Sequence, residues 1–256
     1  MARTNRSAVS RPKVRSSVVT YDKAQPSETR VRASAVRPGA PGRPDLSDQA
    51  RARLEEMIVS LELVPGSIWS EAELSTKLGI GRTPVREALQ RLEVDQLVRI
   101  LPRHGAQITE INVVEQLQLL KLRRVLDRMI AADAARLSTA QERAELLAMA
   151  ERLEVLAAEG DDVLAYLRHH YEIKGFLADC ARNPFVARAA MPCYAMSRRF
   201  YYLHYRQARD VAVAARHHSA VIQAVAAGNA KKAADASDRL MDYVEEFTRA
   251  TITDRF

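Results

Sequence analysis

The stretch GIGRTPVREALQRL, Gly79 to Leu92, combines an apolar face with a proline and three arginines. Its apolar residues recur every three or four positions, at Val85, Ala88, Leu89 and Leu92. This spacing predicts a helix that packs on one side against neighbouring elements. The arginines therefore fall on the side of the helix that faces solvent.

The proline indicates where this helix begins. With Thr83 as N-cap and Pro84 at the first helical position, the missing N–H of the proline costs nothing, because it would have no partner there. Arg82 and Arg86 then lie at the N-terminal end, which the helix dipole makes favourable for acids. Arginines at that end favour a contact with phosphates and guanine edges. The alternative is a solvated surface on which they pair with the glutamates of the same helix.

The elements on both sides favour the DNA-binding interpretation. A helix is predicted from Ser47, with serine as its cap, and a short helix begins with the capping-box pattern Ser70–Glu73 and ends at Gly79. Two short strands are predicted at Leu97–Ile100 and Ala106–Ile108, around a turn with a basic tip. Three helices followed by a two-stranded ribbon form a winged helix-turn-helix, which we assign to residues 47–110.

The chain after Thr109 is rich in alanine and leucine and shows no strand-like alternation. A helix begins with the capping pattern at Asn112, and an apolar stripe is predicted along it at Leu119, Leu122, Leu126, Met129 and Ile130. Further helices are predicted at about 138–158, 161–181, 184–206, 208–227 and 229–250. Residues 111–256 are therefore expected to form an antiparallel all-α bundle of six or seven helices, which makes the protein mainly α.

The formal net charge of +7 is concentrated in residues 1–46. This segment holds ten basic and three acidic residues, and the rest of the chain is balanced. It is rich in Ser, Pro and Arg and lacks apolar periodicity, so we expect a disordered basic arm. Such an arm is either a solubilising extension or a non-specific DNA tether. DNA binding by the folded part must come from local placement of charge.

Composition limits the class of protein. With 47% hydrophobic and 28% charged residues the chain suits one large or two modest globular domains. No apolar run approaches a membrane span and the N-terminus lacks a secretory signal, so we expect a cytoplasmic location. Two cysteines, Cys180 and Cys193, are too few for a disulfide framework and are expected to be free and buried.

The segment LVPGSIWSEAELSTKLGIGRTPVREALQRLEVDQLVRILPRHGAQI resembles the winged-helix domain of the GntR family of bacterial transcription regulators. The helical part, with LKLRRVLDRMIAADAA, LADCARNPF and RHHSAVIQAVAAGNAKKAA, is similar to the effector-binding FCD domain of the FadR subgroup. The resemblance covers about residues 47–250. It implies a homodimer that binds double-stranded operator DNA and responds to a small organic acid.

The resemblance also implies positions for DNA contacts. Arg82, Thr83 and Arg86 would contact the operator from the recognition helix, and His104 with Gly105 would reach the minor groove from the wing. We add Arg103 because of its position at the wing tip. At residue 96 the family usually has glycine; this chain has glutamine, and we expect a local change of turn there.

Many FCD domains hold a metal ion through one aspartate and three histidines. These positions map to His170, Lys174, His218 and Leu240, so only His218 keeps the residue of the family. Lysine is a poor ligand and leucine cannot bind, so we predict no metal and no other cofactor. Instead, Lys174 and Arg123, which matches the inward arginine of the family, are predicted to hold a carboxylate together with His170 and His218. The alternative is that Lys174 and Arg123 are ordinary charges on helix surfaces and that His218 is a hydrogen-bonded core histidine.

The sequence thus favours a DNA-binding transcription regulator, a repressor, whose helical domain senses a small carboxylate. The alternative is an effector-independent DNA-binding protein whose degenerate FCD domain serves only dimerisation. An enzyme is disfavoured, because the sequence shows no paired-carboxylate, Ser/His/Asp or metal-ligand constellation.

Overall fold

The structure, a computed structural model, describes residues 45–160, 162–208 and 211–253. The basic arm predicted for residues 1–46 lies outside these ranges, except for its last two residues. None of the helices within the described ranges is long and apolar enough to cross a membrane. Cys180 and Cys193 are both free and buried, as predicted.

The first part of the described chain is a winged helix-turn-helix, which confirms the predicted fold. Its helices are α1 (Leu46–Val59), α2 (Glu71–Leu78) and α3 (Arg82–Val94), and its strands are β1 (Ile68–Trp69), β2 (Val98–Leu101) and β3 (Gly105–Ile108). The antiparallel sheet has the order β1-β3-β2, with Val98 opposite Ile108 and Trp69 opposite Ala106. The sequence pattern does not predict β1, because a two-residue strand is too short to show alternation.

Two of the predicted helix starts are each wrong by two residues. Helix α1 begins after Asp45, whose side chain makes no cap hydrogen bond, so Ser47 is not the N-cap. Helix α3 begins after Gly81, which places Pro84 third in the helix instead of first. The proline is still tolerated, because the N–H groups of the whole first turn have no partner within the helix. The reciprocal capping box of α2 at Ser70 is confirmed.

The turn before the wing keeps a left-handed backbone. Gln96 has φ 60°, a conformation that glycine adopts without strain and other residues adopt at a cost. The expected change of turn relative to the family stays a prediction. Thr109 Oγ1 donates to the carbonyl oxygen of Gln96 at 2.8 Å.

Helix α3 buries the apolar face that the sequence predicts. Val85, Ala88, Leu89 and Leu92 are all buried, against a core that includes Leu54, Ile58, Leu74, Leu97 and Ile108. This packing fixes the orientation of α3 and leaves its opposite side to solvent.

The rest of the described chain is all-helical, in agreement with the predicted bundle. Its helices are α4 (Val113–Leu137), α5 (Ala140–Glu159), α6 (Val163–Cys180), α7 (Pro184–Ala208), α8 (Val211–Ala226) and α9 (Ala230–Thr253). Asn112 caps α4 by accepting from the N–H groups of Val114 and Glu115. A contiguous core joins all six helices.

The apolar stripe predicted along α4 is only partly correct, because two of its five residues face solvent. Leu122 and Met129 are 50% and 42% exposed, Leu119 and Leu126 are half-buried, and Ile130 alone of the five is buried. The buried stripe is offset and includes the polar residues Gln116, Arg123 and Asp127 beside the apolar residues Leu120, Ile130 and Ala134. Charged residues therefore point into the bundle while leucine, valine and methionine side chains face solvent.

Candidate DNA-binding and effector sites

The N-terminal end of α3 presents Arg82, Thr83 and Arg86 to solvent. All three are exposed, and the first turn carries no acidic residue. Since the N-terminal end of a helix repels cations, this placement is unfavourable for the isolated domain. A polyanion in contact with this end would remove the penalty.

Arg86 is held by a carboxylate of the neighbouring helix α2. Its Nε donates to Oε1 of Glu71 at 2.8 Å, and its Nη2 donates to Oε2 at 2.6 Å. These hydrogen bonds lower the pKa of the Glu71 carboxyl below its ordinary value. Arg86 therefore does not pair with Glu87 or Glu93 of its own helix, which was the alternative interpretation. The carboxylate of Glu93 instead accepts a hydrogen bond from the backbone N–H of Ile100 at 2.7 Å.

The wing tip is the turn between β2 and β3. Arg103 and His104 are exposed there, as a DNA contact requires. Gly105 has φ 101°, and a Cβ at this position would lie 2.2 Å from the backbone oxygen of Trp69. Glycine is therefore required by the close approach of β1 to β3, whether or not Gly105 also meets DNA.

In the helical domain the structure brings together all four residues of the predicted effector site. They gather around Asp127 of α4, a residue that the sequence analysis missed. Oδ2 of Asp127 accepts from Lys174 Nζ at 3.1 Å and from Arg123 Nη2 at 3.3 Å. The hydroxyl of Tyr194 donates to the other oxygen, Oδ1. Lys174, Arg123, Asp127 and Tyr194 are all buried.

The two histidines lie beside this ion cluster. The imidazole rings of His170 and His218 have centroids 4.0 Å apart. Burial, together with the charges of Lys174 and Arg123, lowers the pKa of both rings well below the ordinary value. Both imidazoles are therefore neutral at pH 7, and His170 Nε2 has no hydrogen-bond partner among the described residues.

Asp127 changes the electrostatics of the site. Burial opposes ionisation of its carboxyl, but Lys174 and Arg123 outweigh that effect and lower its pKa. Burial lowers the pKa of Lys174, while Asp127 opposes that shift. With the histidines neutral and Lys174 protonated, the two cations and one carboxylate leave a single net positive charge. Arg123 Nε has no hydrogen-bond partner within the described residues. A signal for Asp127 was present in the sequence, since it follows Arg123 by four residues, one helical turn.

The residues at the four positions of the family's metal site do not fit a metal ion. Lys174 is engaged with Asp127, Leu240 has no donor atom, and the positive charges of Lys174 and Arg123 oppose a cation. No group of three or more metal-binding side chains is arranged for a metal within the described ranges.

Helix α7 contacts both the ion cluster and the winged helix. Within the bundle, Tyr194 binds Asp127, and the hydroxyl of Tyr201 accepts from Arg123 Nη1 at 3.4 Å. Between them on the same helix, Arg198 donates from Nη1 to Glu55 Oε1 of α1 at 3.1 Å. One helix thus joins the buried cluster to the first helix of the winged domain.

The next residue of α7 holds the segment between the two domains. Arg199 Nη1 donates to the carbonyl oxygen of Thr109 at 2.8 Å and to its Oγ1 at 2.7 Å, and Nη2 donates to the carbonyl oxygen of Glu110 at 3.0 Å. Burial lowers the pKa of Arg199 to about 10. Both arginines belong to the aromatic stretch 198–205, whose Phe200, Tyr201 and Tyr205 rings pack in the core.

Two cavities lie away from the ion cluster. A cleft of 680 Å³ opens between the wing and the helices, where Arg99, Gln107, Glu110 and Arg199 are among its lining residues. A groove of 720 Å³ runs between α4 and α9. Neither includes Asp127 or Lys174 in its lining.

Comparison with known families agrees with this architecture. Residues 46–108 match the model described as bacterial regulatory proteins, gntR family, and residues 118–243 match the FCD domain. A solved structure of Escherichia coli McbR/YncC superposes with a TM-score of 0.71 over 81% of this chain and 98% of that chain, at 18% identity.

Two curated relatives are transcription regulators. An HTH-type transcriptional regulator of Streptomyces ambofaciens is 40% identical over 60 residues, 23% of this chain and 25% of that protein. The HTH-type transcriptional repressor RspR of Escherichia coli K12 is 26% identical over 129 residues, 50% of this chain and 57% of that protein. The alignments thus span between a quarter and somewhat more than half of these relatives. The families and relatives matched are regulators and not enzymes, and the chain belongs to the GntR family of bacterial regulatory proteins, in the FadR subgroup that carries an FCD domain.

Proposed function

We propose that this protein is a sequence-specific DNA-binding transcription regulator, acting as a repressor in the bacterial cytoplasm. The observation that carries the proposal is the exposed, acid-free N-terminal turn of α3 with Arg82, Thr83 and Arg86. Arg103 and His104 at the wing tip, with Gly105 shaping the turn, supply a second contact. The repressor role is the one named for the relative RspR. We assign DNA binding to residues 47–110 and sensing with dimerisation to residues 111–256.

The test of the DNA-binding site compares two arginine variants. Arg86→Ala removes the recognition-helix contact, while Arg152→Ala removes an exposed arginine from helix α5 as a matched control. Duplexes selected from a random library by the wild-type protein serve as ligands in fluorescence anisotropy. Loss of a bidentate base contact is expected to weaken Arg86→Ala by about tenfold or more, roughly 1–3 kcal/mol. Equal affinities of the two variants for the selected duplex would show that Arg86 of α3 does not contact the bases.

We further propose a homodimer formed through the exposed face of α4. Val114, Leu122, Val125 and Met129 are 61%, 50%, 60% and 42% exposed and follow one another at multiples of a helical turn. An apolar stripe of this kind is typical of an association surface. The groove beside α9 gives room for side chains of a second copy. Two-fold operators require two recognition helices, which a dimer supplies.

The dimer is tested by charge placed on this face. Leu122→Glu with Val125→Glu is expected to give a monomer in sedimentation velocity, with unchanged helix content because both side chains face solvent. Leu147→Glu with Val155→Glu, two exposed apolar residues of α5, is the control and is expected to stay dimeric. If the protein with the α4 substitutions is still a dimer, the dimer interface does not lie on this face of α4.

The effector we propose is a small organic acid bound at the ion cluster of Arg123, Lys174, His170 and His218. The net positive charge of the cluster and the unpartnered nitrogens of Arg123 and His170 support an anion as ligand. Helix α7 gives the site a route to the DNA-binding domain, since a ligand that displaces Asp127 also perturbs Tyr194. That perturbation would reach Glu55 through Arg198 on the same helix.

A thermal-shift screen with mono- and dicarboxylates tests the effector. A ligand at a hundred times its dissociation constant stabilises the folded protein by about 2.7 kcal/mol. Lys174→Met is expected to abolish the shift, whereas Lys232→Met, which removes an exposed lysine of α9, is expected to retain it.

One observation favours the alternative of a regulator without effector. Asp127 already neutralises one of the two cations, so the protein supplies its own carboxylate at the site. If no acid shifts the melting temperature while DNA binding stays specific, the helical domain serves only dimerisation.

A further inference from the structure

The Glu71–Arg86 pair shows a feature that DNA binding by Arg86 does not by itself require. The carboxylate engages the Nε edge of the guanidinium in a two-point fork, at 2.8 and 2.6 Å. A guanidinium has five N–H donors, and this fork uses two of them. The three that remain include one on each Nη, along the outer edge of the group. Those two parallel donors match O6 and N7 of guanine.

The pair lies on the surface. The side chains of Arg86 and Glu71 are 60% and 29% exposed. Exposed ion pairs contribute little to folding stability, even when their geometry is good. The fork therefore does more to orient Arg86 than to hold α2 against α3, which already share the buried contacts of Leu74 and Val85.

The charge of the pair is also balanced. Arg86 alone would attract any DNA backbone, whatever its sequence. With Glu71 ionised beside it, as the lowered pKa of that carboxyl requires, the pair has no net charge. It offers hydrogen-bond donors to a base while adding little to the sequence-independent attraction for phosphate.

We propose that Glu71 is a specificity-determining residue that positions Arg86. It selects the outer edge of the guanidinium for a guanine and opposes binding to non-cognate DNA through its negative charge. The inference rests on the proposed contact of Arg86 with DNA. Glu71 itself is not expected to touch a base.

The test measures anisotropy with the selected duplex and with a random duplex, at several salt concentrations. Glu71→Gln removes the charge, and Glu71→Asp keeps the charge but shortens the reach. Glu87→Gln removes one exposed acidic charge from α3 and controls for net charge. Each variant is also made in an Arg86→Ala background, and circular dichroism verifies folding.

We expect Glu71→Gln to bind random DNA about threefold to tenfold more tightly, with a salt slope steeper by about one. Preference for the selected duplex over random DNA should fall by about tenfold, since the arginine is no longer fixed. Glu71→Asp should lose preference without gaining random affinity. In the Arg86→Ala background Glu71→Gln should leave the preference unchanged.

An unchanged preference in Glu71→Gln, with Arg86→Ala losing the selected duplex, would overturn the role of Glu71 and leave the DNA-binding proposal intact. The same loss of preference in Glu87→Gln would also overturn it, because the effect would then be one of net charge. If Arg86→Ala binds like wild type, the proposed DNA contact of Arg86 fails first.

Discussion

Replacing Asp127 by asparagine is the sharpest perturbation of the buried ion cluster. The substitution keeps the shape of the side chain and removes its charge, which leaves Lys174 and Arg123 without a counter-ion in the interior. Breaking a buried pair in this way typically costs about 3–5 kcal/mol. Asp127→Asn is therefore expected to be strongly destabilised at pH 7.

The titration of Lys174 sets an upper limit to this cost. The folded variant can avoid a buried charge if Lys174 loses its proton. Because a lysine in the unfolded chain has a pKa near 10.4, removing its proton at pH 7 costs about 5 kcal/mol of folding free energy. The cost then falls by about 1.4 kcal/mol for each pH unit, to about 2 kcal/mol at pH 9. In the wild type, burial also lowers the pKa of Lys174, but its pairing with Asp127 opposes that shift, so the lysine keeps its proton to a higher pH than in the variant.

Urea unfolding of wild type and variant at pH 7 and pH 9 measures both quantities. Lys174→Met serves as the second variant. Alone, it leaves Asp127 paired with Arg123 and Tyr194. Combined with Asp127→Asn, it should restore much of the stability that Asp127→Asn loses. A loss below about 1 kcal/mol at pH 7, or an equal loss at both pH values, would refute a charged buried cluster.

Four further predictions follow from particular contacts. Because the folded-state pKa values of His170 and His218 lie well below the unfolded value of about 6.5, the unfolded chain takes up more protons below that pH, and stability falls. Urea unfolding should show that the free energy of unfolding is lower at pH 5.5 than at pH 8 by about 1.4 kcal/mol for each histidine. A His→Gln variant should lack the contribution of the histidine that it replaces. Arg198→Met leaves the buried Glu55 of α1 with only its longer ion pair to Arg51, at 3.6 Å, and should speed proteolysis between the domains, at a cost of up to about 3 kcal/mol. An unchanged cleavage rate would show that the ion pair between Arg198 and Glu55 does not hold the domains together. Gly105→Ala should lower the melting temperature before any effect on DNA is considered, because its Cβ would collide with backbone, and an unaltered melting curve would contradict the close approach. Gln96→Gly should stabilise the protein by about 0.5–1 kcal/mol in urea unfolding by relieving a left-handed backbone, and destabilisation would show that the glutamine side chain compensates for the strain.

The sequence is most informative where local rules determine the structure. The buried face of α3 and the capping box at Ser70 follow from spacing and cap chemistry, and both agree with the structure. The start of α3 is less certain, because Arg82, Thr83 and Pro84 can all occupy a first turn. Strand β1 forms only through pairing with β3, a partner nearly 40 residues away in the chain that leaves no local signature.

The helical domain shows why the rest is harder to predict. A stripe of leucine and methionine normally marks the buried side of a helix, but in α4 the face that includes Leu122 and Met129 points to solvent. The buried side instead carries Arg123 and Asp127, which is tolerable because they pair with each other and with Lys174 of α6. Four cationic or histidine positions were found by resemblance. The spacing of Arg123 and Asp127 was a local signal for one ion pair, but the pairing of Asp127 with Lys174 has no local signature in the sequence.

A linkage measurement tests whether the ion cluster and the DNA-binding site are coupled. The affinity for the selected duplex is measured with and without a carboxylate that stabilises the protein, and the affinity for that carboxylate is measured with and without the duplex. If helix α7 couples the sites, both affinities should change by the same factor, typically about fivefold to 150-fold. Arg198→Met should reduce that factor towards one while both ligands still bind. Equal DNA affinities with and without the bound carboxylate would contradict this coupling and leave the protein as a DNA-binding dimer without a sensor.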